Sequence, residues 1–325
     1  MKKNAVITGI GGQDAAYMSR LLLERGYHVF GIGRTLTDEK LWRLAELGIL
    51  NEVELVTGDI TDAGFVFSTM KTFEPVEWYN FAAISFVGQS WKTPATTMEI
   101  NAKGVVHILE GIRQMSPYTK LYQAGSSEMF GQPTVKIQDE NVPFSPCNPY
   151  GVAKASAFHS VSIYRKAYGI FGCNAICYNH ESPLRGTEYV TRKITDGVAK
   201  IKLGLAKEIR LGNINSERDW GFAGDYVEAM WKMLQQEKSD DYVLSTGKMH
   251  SIKDFLRVAF SHAGIENWEP HVIQDEKFYR PLEPNVLCGN NGKAKKVLGW
   301  EPSLPFESIV SMMVDADLRR LEKSI

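Results

Sequence analysis

Tyr150 and Lys154 stand four residues apart at the start of a helical stretch. Ser126 and Glu128 precede them at the end of an apolar run. Positions i and i+4 of a helix share a face. From there a lysine ammonium can favour the phenolate and draw a tyrosine pKa down from about 10 toward the working pH. Such a tyrosine can take the proton of a sugar hydroxyl while a nicotinamide takes the hydride. Ser126 is placed to hydrogen-bond the same hydroxyl. Glu128 adds a carboxylate that simple alcohol oxidation does not need, and this extra acid/base group points beyond oxidoreduction to elimination.

These side chains need a scaffold that presents strand ends to a ligand. Asn4 to Gly9 reads as a strand, Gln13 to Gly26 as a helix and His28 to Gly33 as a second strand, a βαβ unit. Further strands are expected at 52–56, 77–81, 120–124 and 174–178, with helices at 102–114 and 150–168 between them. The alternation predicts an α/β fold, a Rossmann-type doubly wound parallel sheet with a smaller C-terminal substrate-binding lobe. The expected division is residues 1–180 for the nucleotide-binding unit and 181–325 for the lobe, with a segment near 215–247 returning to the first unit. In that division Ser126 and Glu128 lie at the carboxyl end of a strand, where open α/β sheets bind ligands. A Tyr-x-x-x-Lys pair alone is a common accident, and Glu128 read alone could be a helix-start carboxylate held by backbone amides. It is the combination that carries the chemistry.

Gly9-x-x-Gly12-x-x-Ala15 departs in spacing from the simplest dinucleotide fingerprint but keeps its logic. A tight turn brings the backbone close and aims a helix N-terminus at a pyrophosphate. Gly33-Arg34-Thr35, at the end of the second strand, lacks the acidic residue that would hold a free ribose. Arg34, with Arg43 as a possible helper, suits a 2′-phosphate, so NADP is expected over NAD. Asp59 and Ile60 could meet the adenine, and Phe81, Ala82 and Ala83 offer small residues where backbone passes the cofactor.

The chain has 325 residues, 44% of them hydrophobic, and carries 37 basic against 38 acidic groups for a net charge of −1. No bulk field would recruit nucleic acid or an anionic membrane. Met1-Lys2-Lys3 runs straight into a short apolar strand, far shorter than a signal segment or membrane span, so a cytoplasmic protein is expected. Cys147, Cys173, Cys177 and Cys288 form no CxxC pair, have no suitably spaced histidines, and read as structural thiols with no metal site.

Several longer strings resemble one family. They are Gly9–Asp14, Ser126-Ser127-Glu128-Met129-Phe130-Gly131, Tyr150–Lys154, Asn179-His180-Glu181-Ser182-Pro183-Leu184-Arg185-Gly186, Val190-Thr191-Arg192-Lys193, Leu211-Gly212-Asn213 and Arg218-Asp219-Trp220-Gly221-Phe222-Ala223. Over nearly the whole chain they are similar to the GDP-mannose 4,6-dehydratases, which are extended short-chain dehydrogenase/reductases. The resemblance implies a catalytic set of Ser126, Glu128, Tyr150 and Lys154. It also implies that Gly9, Gly12, Gln13, Asp14, His180 and Arg185 contact NADP, Arg185 across a subunit interface. The GDP-sugar would be held by Ser85, Ser127, Asn179, Val190, Lys193, Leu211, Asn213, Arg218, Arg280 and Glu283, in a homodimer or homotetramer. Two arginines near a diphosphate make physical sense, because guanidinium forks match phosphate oxygens. Glu283 is suited to accept hydrogen bonds from a ribose or from guanine.

The chain departs from the family pattern in places. Ala15 replaces a glycine, Ser126 a threonine, Pro146-Cys147-Asn148 the usual Pro-Arg-Ser, and Arg34-Thr35 a pair of arginines; Ala155-Ser156-Ala157 along the catalytic helix also bears on the sugar pocket. The expected reaction oxidises C4, removes the C5 proton, expels water from C6 and returns hydride to C6. GDP-mannose is the first substrate expected. A GDP-manno-heptose is the rival, because Cys147 and Asn148 change size and charge beside Tyr150. An epimerase or 4-reductase on the same fold is the lower alternative, since those reactions need no C5 base.

Overall fold

The computed structural model describes residues 3–278 and 287–323. Arg280 and Glu283 lie outside the described residues, as do Pro281 and Pro284. The centre is a seven-stranded sheet in the spatial order Asp241–Leu244, Gly172–Cys177, Lys120–Ala124, Glu77–Asn80, Asn4–Thr8, His28–Gly33 and Glu54–Thr57. Every pairing in it is parallel. From the Asn4–Thr8 strand the chain winds outward to one edge, then crosses back to Glu77–Asn80 and winds to the other edge. The carboxyl ends of Asn4–Thr8 and Glu77–Asn80 therefore border the switch point where such sheets bind ligands.

Strand alternation sorts side chains to the two faces. Ala5, Ile7, Tyr79 and Tyr122 join one core with Tyr17 and Met18 of the Gln13–Glu24 helix and with Tyr226 and Met230 of the Ala223–Leu234 helix. Val6, Trp78 and Leu121 join the other, with Val66 and Met70, with Ile108 and Ile112 of the Gly104–Met115 helix, and with Val161 of the Pro149–Tyr168 helix. A further core gathers Ile194, Leu211, Trp220, Phe255, Phe260, Phe306 and Val310. Beside it, Met249–Ser251, Glu217–Phe222 and Asn179–Glu181 make a three-stranded sheet. Two short parallel pairs complete the topology, Ile209–Leu211 with Val272–Gln274 and Ile137–Gln138 with Cys288–Gly289. Glu217–Phe222 thus lies in the small sheet, while the chain just after it supplies a helix and the edge strand Asp241–Leu244 to the large one.

Element ends differ slightly from the sequence expectation. The third strand starts at Glu54 rather than Glu52, because Leu50–Glu52 closes a 3₁₀ turn. The first helix stops at Glu24, and Gly26, at φ +77°, adopts the left-handed backbone that ends helices cheaply. All four cysteines are free, with Cys147 half-buried and the rest buried. No helix among the described residues is long and apolar enough to cross a membrane.

Away from the ligand end, Glu77 opens its strand in full burial, 4% exposed. It accepts hydrogen bonds from Tyr27 Oη at 3.0 Å, Tyr79 Oη at 2.7 Å and Gln235 Nε2 at 2.9 Å. Burial, reinforced by this carboxylate, pushes the Tyr27 phenol up to about 12. Glu77→Ala strands these donors, so urea unfolding should show a loss of about 2–4 kcal/mol, while kcat and KM of the folded enzyme stay at wild-type values. A loss under about 0.5 kcal/mol would show the cluster to be dispensable.

Candidate active site

The Lys120–Ala124 strand ends in a turn whose geometry decides where Ser126 and Glu128 go. Ser126 caps the short 3₁₀ turn Ser127–Met129, its Oγ accepting from the Glu128 N–H at 3.2 Å. The Pro149–Tyr168 helix begins beside it, capped by Asn148, with Pro149 in its first turn. Gly151 is required at this junction: a Cβ there would stand 2.5 Å from the Glu128 carbonyl oxygen. Tyr150 and Lys154 lie on the buried face of that helix, 8% and 3% exposed, and the Ser126 hydroxyl hydrogen-bonds the Tyr150 phenol. Serine, tyrosine, lysine and glutamate are thus brought together as their spacing predicts.

Their electrostatics are not as spacing alone suggests. Burial dominates at Tyr150 and holds its phenol above the ordinary value, with the hydrogen bond from Ser126 only partly opposing it. Burial also dominates at Lys154 and lowers its ammonium to about 8. Lys154 Nζ donates to the Ala124 carbonyl at 2.7 Å and lies 5.8 Å from the Tyr150 ring centroid. Both groups pay for desolvation, and burial rather than the Lys154 charge is the leading influence on the phenol.

The glycine turn faces this group across the sheet. Gly9 has φ +74°, and a Cβ there would stand 2.8 Å from Phe81 and Ala82 backbone atoms, so the turn and the Phe81-Ala82-Ala83 segment are in contact. Gly12 caps the Gln13–Glu24 helix without a side-chain hydrogen bond. Asp14 Oδ2 lies 2.9 Å from His180 Nε2, while His180 Nδ1 lies 2.7 Å from the Tyr178 carbonyl oxygen. Burial alone would raise the Asp14 carboxyl and lower the His180 imidazole, but each group's charge on the other reverses both effects, leaving Asp14 low and His180 high. Gln13 joins the same seam, donating to the His180 carbonyl at 3.1 Å and accepting from Ser182 Oγ at 2.7 Å.

Other predicted residues fare differently. Arg34 is exposed at its strand end, with Nε 3.9 Å from Asp59 Oδ2. Ile60 is 3% exposed and packed in the core, with its carbonyl oxygen 3.0 Å from His107 Nδ1. Arg43, read as a helper of Arg34, instead donates to the Gly11 carbonyl at 2.7 Å and the Leu184 carbonyl at 2.6 Å. Arg185 Nε sits 3.1 Å from Glu181 Oε2 within its own chain, without the alignment of a hydrogen bond.

On the other side of the site, Asn179 pairs with Trp220 in the small sheet, and Arg218 on the same Glu217–Phe222 strand donates to the Glu217 carbonyl at 2.7 Å. Val190 opens the Val190–Lys202 helix, which also carries Lys193. Lys193 Nζ lies 3.5 Å over the Phe278 ring, and a Cβ on Gly212 would stand 2.8 Å from the Phe278 carbonyl oxygen. Lys193 and the Leu211–Asn213 segment therefore meet around Phe278, although the Leu211 side chain is itself buried in the core. Asn213 Oδ1 accepts from the Asn215 N–H at 3.0 Å. Ser127 is buried behind Glu128.

Two contacts that the sequence analysis did not assign also emerge. Tyr189 Oη lies 2.8 Å from Ser85 Oγ and contributes to the electrostatics of Tyr150. Asn148 Nδ2 donates to Glu128 Oε2 at 2.7 Å. No local signal marks Tyr189.

A family model described as GDP-mannose 4,6 dehydratase matches residues 6–313. The chain belongs to that family. It is 46% identical to GDP-mannose 4,6 dehydratase 1 of Arabidopsis thaliana, over 98% of this chain and 90% of the relative. Against the human GDP-mannose 4,6 dehydratase it is 39% identical, over 97% and 91%. The Yersinia enterocolitica GDP-mannose 4,6-dehydratase is 37% identical, over 99% and 95%. Solved structures share the fold of this family member at lower identity. A UDP-glucose 4-epimerase of Thermotoga maritima, with UDP-glucose, superposes at TM-score 0.86 and 20% identity over 98% of this chain and 99% of its own. A dTDP-glucose 4,6-dehydratase of Bacillus anthracis, with NAD, gives 0.83 and 21%, each chain covered to 98%.

The depressed Lys154 ammonium has a thermodynamic signature. Below pH 8 it is charged in both folded and unfolded chains, and the burial penalty is full. Between about 8 and its ordinary 10.5 the folded form loses the proton first, so stability rises with pH. Relative to Lys154→Met, the wild type should gain on the order of 3 kcal/mol over that window, read by urea unfolding of both proteins at each pH. A pH-independent difference would contradict the burial assignment.

Proposed function

We propose that this chain converts GDP-mannose to GDP-4-keto-6-deoxymannose, using a nicotinamide cofactor for which NADP is the preferred form. The observation that carries the reading is Glu128, a half-buried carboxylate in one cluster with Ser126 and Tyr150. The glycine turn fits a dinucleotide: the Gly12 cap offers no side chain to the helix N-terminus, where backbone amides favour a phosphate. Gly9, Gly12, Asp59, Ile60, Phe81, Ala82, Ala83 and Lys154 would line the cofactor, with exposed Arg34 on the 2′-phosphate. His180 and Asp14 would act through the seam they form. Bound there, the nicotinamide would accept hydride from C4 and later return it to C6.

The chain's own groups do the proton work. In its phenolate form, Tyr150 Oη takes the C4 hydroxyl proton, with Ser126 holding that hydroxyl. The resulting ketone acidifies the C5 hydrogen, and Glu128 removes it. The C5–H electron pair becomes the C5=C6 bond as the C6 oxygen departs and leaves as water, using a proton Glu128 can return. Tyr150 finally gives its proton to C5, which balances the cycle with net loss of one water. Lys193, Asn179, Arg218 and Ser85 would meet the GDP-sugar from the substrate side, and the family resemblance adds Arg280 and Glu283, which lie outside the described residues. Large apolar side chains exposed on the helices at 87–115 and 149–168, among them Trp91, Met98, Val152 and Ile163, favour a homo-oligomer.

Tyr150→Phe should cut kcat at least a hundredfold while leaving GDP-sugar binding nearly intact. More than about a tenth of the wild-type rate would remove Tyr150 from the mechanism. Glu128→Gln, run in deuterated water with GDP-mannose, should still oxidise C4 slowly but incorporate no deuterium at C5. Incorporation at the wild-type rate would assign the base elsewhere. Protein purified without additions should release NADP rather than NAD on denaturation, and Arg34→Ala should weaken its retention; NAD as the released form would reverse the preference.

A further inference from the structure

Asn148 is 4% exposed and sits at the junction between the two segments that carry the chemistry. Its backbone is extended, at φ −150° and ψ 159°, as a helix cap requires. Its Oδ1 accepts from the Gly151 N–H at 2.8 Å, and its Nδ2 donates to Glu128 Oε2 at 2.7 Å. The two contacts fix the amide's orientation independently. An N–H donor demands the oxygen at one end, a carboxylate demands the nitrogen at the other, and the flipped amide would face repulsion at both. A serine in this position could cap the helix through its hydroxyl but would have no second arm for the carboxylate.

We infer that Asn148 is a positioning residue for elimination: its carboxamide clamps one oxygen of Glu128 to the first turn of the helix bearing Tyr150 and so aims the carboxylate at the C5 hydrogen. The clamp completes a frame in which every part of Glu128 is held. Its N–H is bound by Ser126 Oγ, and its carbonyl oxygen lies where only a glycine at 151 lets the helix approach. Holding one carboxylate oxygen restricts where the other can point, and misplacement of a reacting group by about 1 Å can cost on the order of a hundredfold in rate.

This inference rests on the reading of Glu128 as the C5 base, and the experiment separates the two. Asn148→Ser keeps a capping oxygen and removes the clamp. Asn148→Asp keeps the cap and the shape but sets a second carboxylate against Glu128. Each variant of the full chain is assayed with GDP-mannose and NADP for C4 oxidation, followed by the near-ultraviolet absorbance of reduced nicotinamide in a single turnover. C5 exchange is followed by deuterium incorporation from heavy water, and kcat, KM and thermal midpoint are measured alongside. Asn148→Ser should slow C5 exchange and kcat about tenfold to a hundredfold, with C4 oxidation and KM within about twofold. Asn148→Asp should slow exchange further. Exchange at wild-type rate in both variants would overturn the inference. So would equal slowing of C4 oxidation and exchange in Asn148→Ser, because a residue acting only as a helix cap would disturb Tyr150 and Glu128 alike. Glu128→Gln that exchanges at the wild-type rate would instead overturn the reading of Glu128 itself.

Discussion

The Asp14–His180 pair holds the first glycine turn to the point where the chain leaves the large sheet, and the arrangement of the rest follows from that attachment. His180 is anchored at both ring nitrogens and stacks on Tyr226, 4.7 Å between centroids. Gln13 and Ser182 extend the seam on either side. Each group holds the other's pKa against the effect of burial, so each depends on its partner. A displacement of the Asn179–Glu181 strand would leave both uncompensated. That strand pairs with Glu217–Phe222, so the segment carrying Asn179, Arg218 and the helix with Lys193 is referenced to the turn expected to hold the cofactor. The two halves of the site share one datum.

Desolvation is the second constraint. Tyr150 and Lys154 are buried beside the strand ends of a parallel sheet covered on both faces, and burial there disfavours any charge. Lys154 answers with a hydrogen bond to the Ala124 carbonyl, and burial raises the Tyr150 phenol. Such a site costs stability at rest. In return, a fixed donor or carboxylate placed in it interacts strongly with charge that develops as a proton moves. Glu128 is less buried than Tyr150 and Lys154, and one of its carboxylate oxygens accepts a hydrogen bond from Asn148.

Much of this was legible in the residues. Alternation along 4–8, 77–80 and 120–124 sorts side chains between two cores. The Gly9–Ala15 turn, the Tyr150/Lys154 face and the Asn-Pro helix start depend only on neighbours in sequence, so local sterics and helical periodicity determine them. The family strings add the remaining assignments. What local spacing cannot carry is which side chains meet across the fold and how much water reaches them. Ser85 and Tyr189 are 104 residues apart and share a hydrogen bond. Arg43 reads as a free cation and is consumed by two backbone carbonyls, while Leu211 and Ile60 read as ligand contacts and their side chains are core. The Tyr150–Lys154 spacing determines a shared face, but burial by the surrounding strands decides that the phenol is raised and the ammonium lowered. Charge and contact at this site are collective properties of packing, so they were settled only when the sheet closed over the helix.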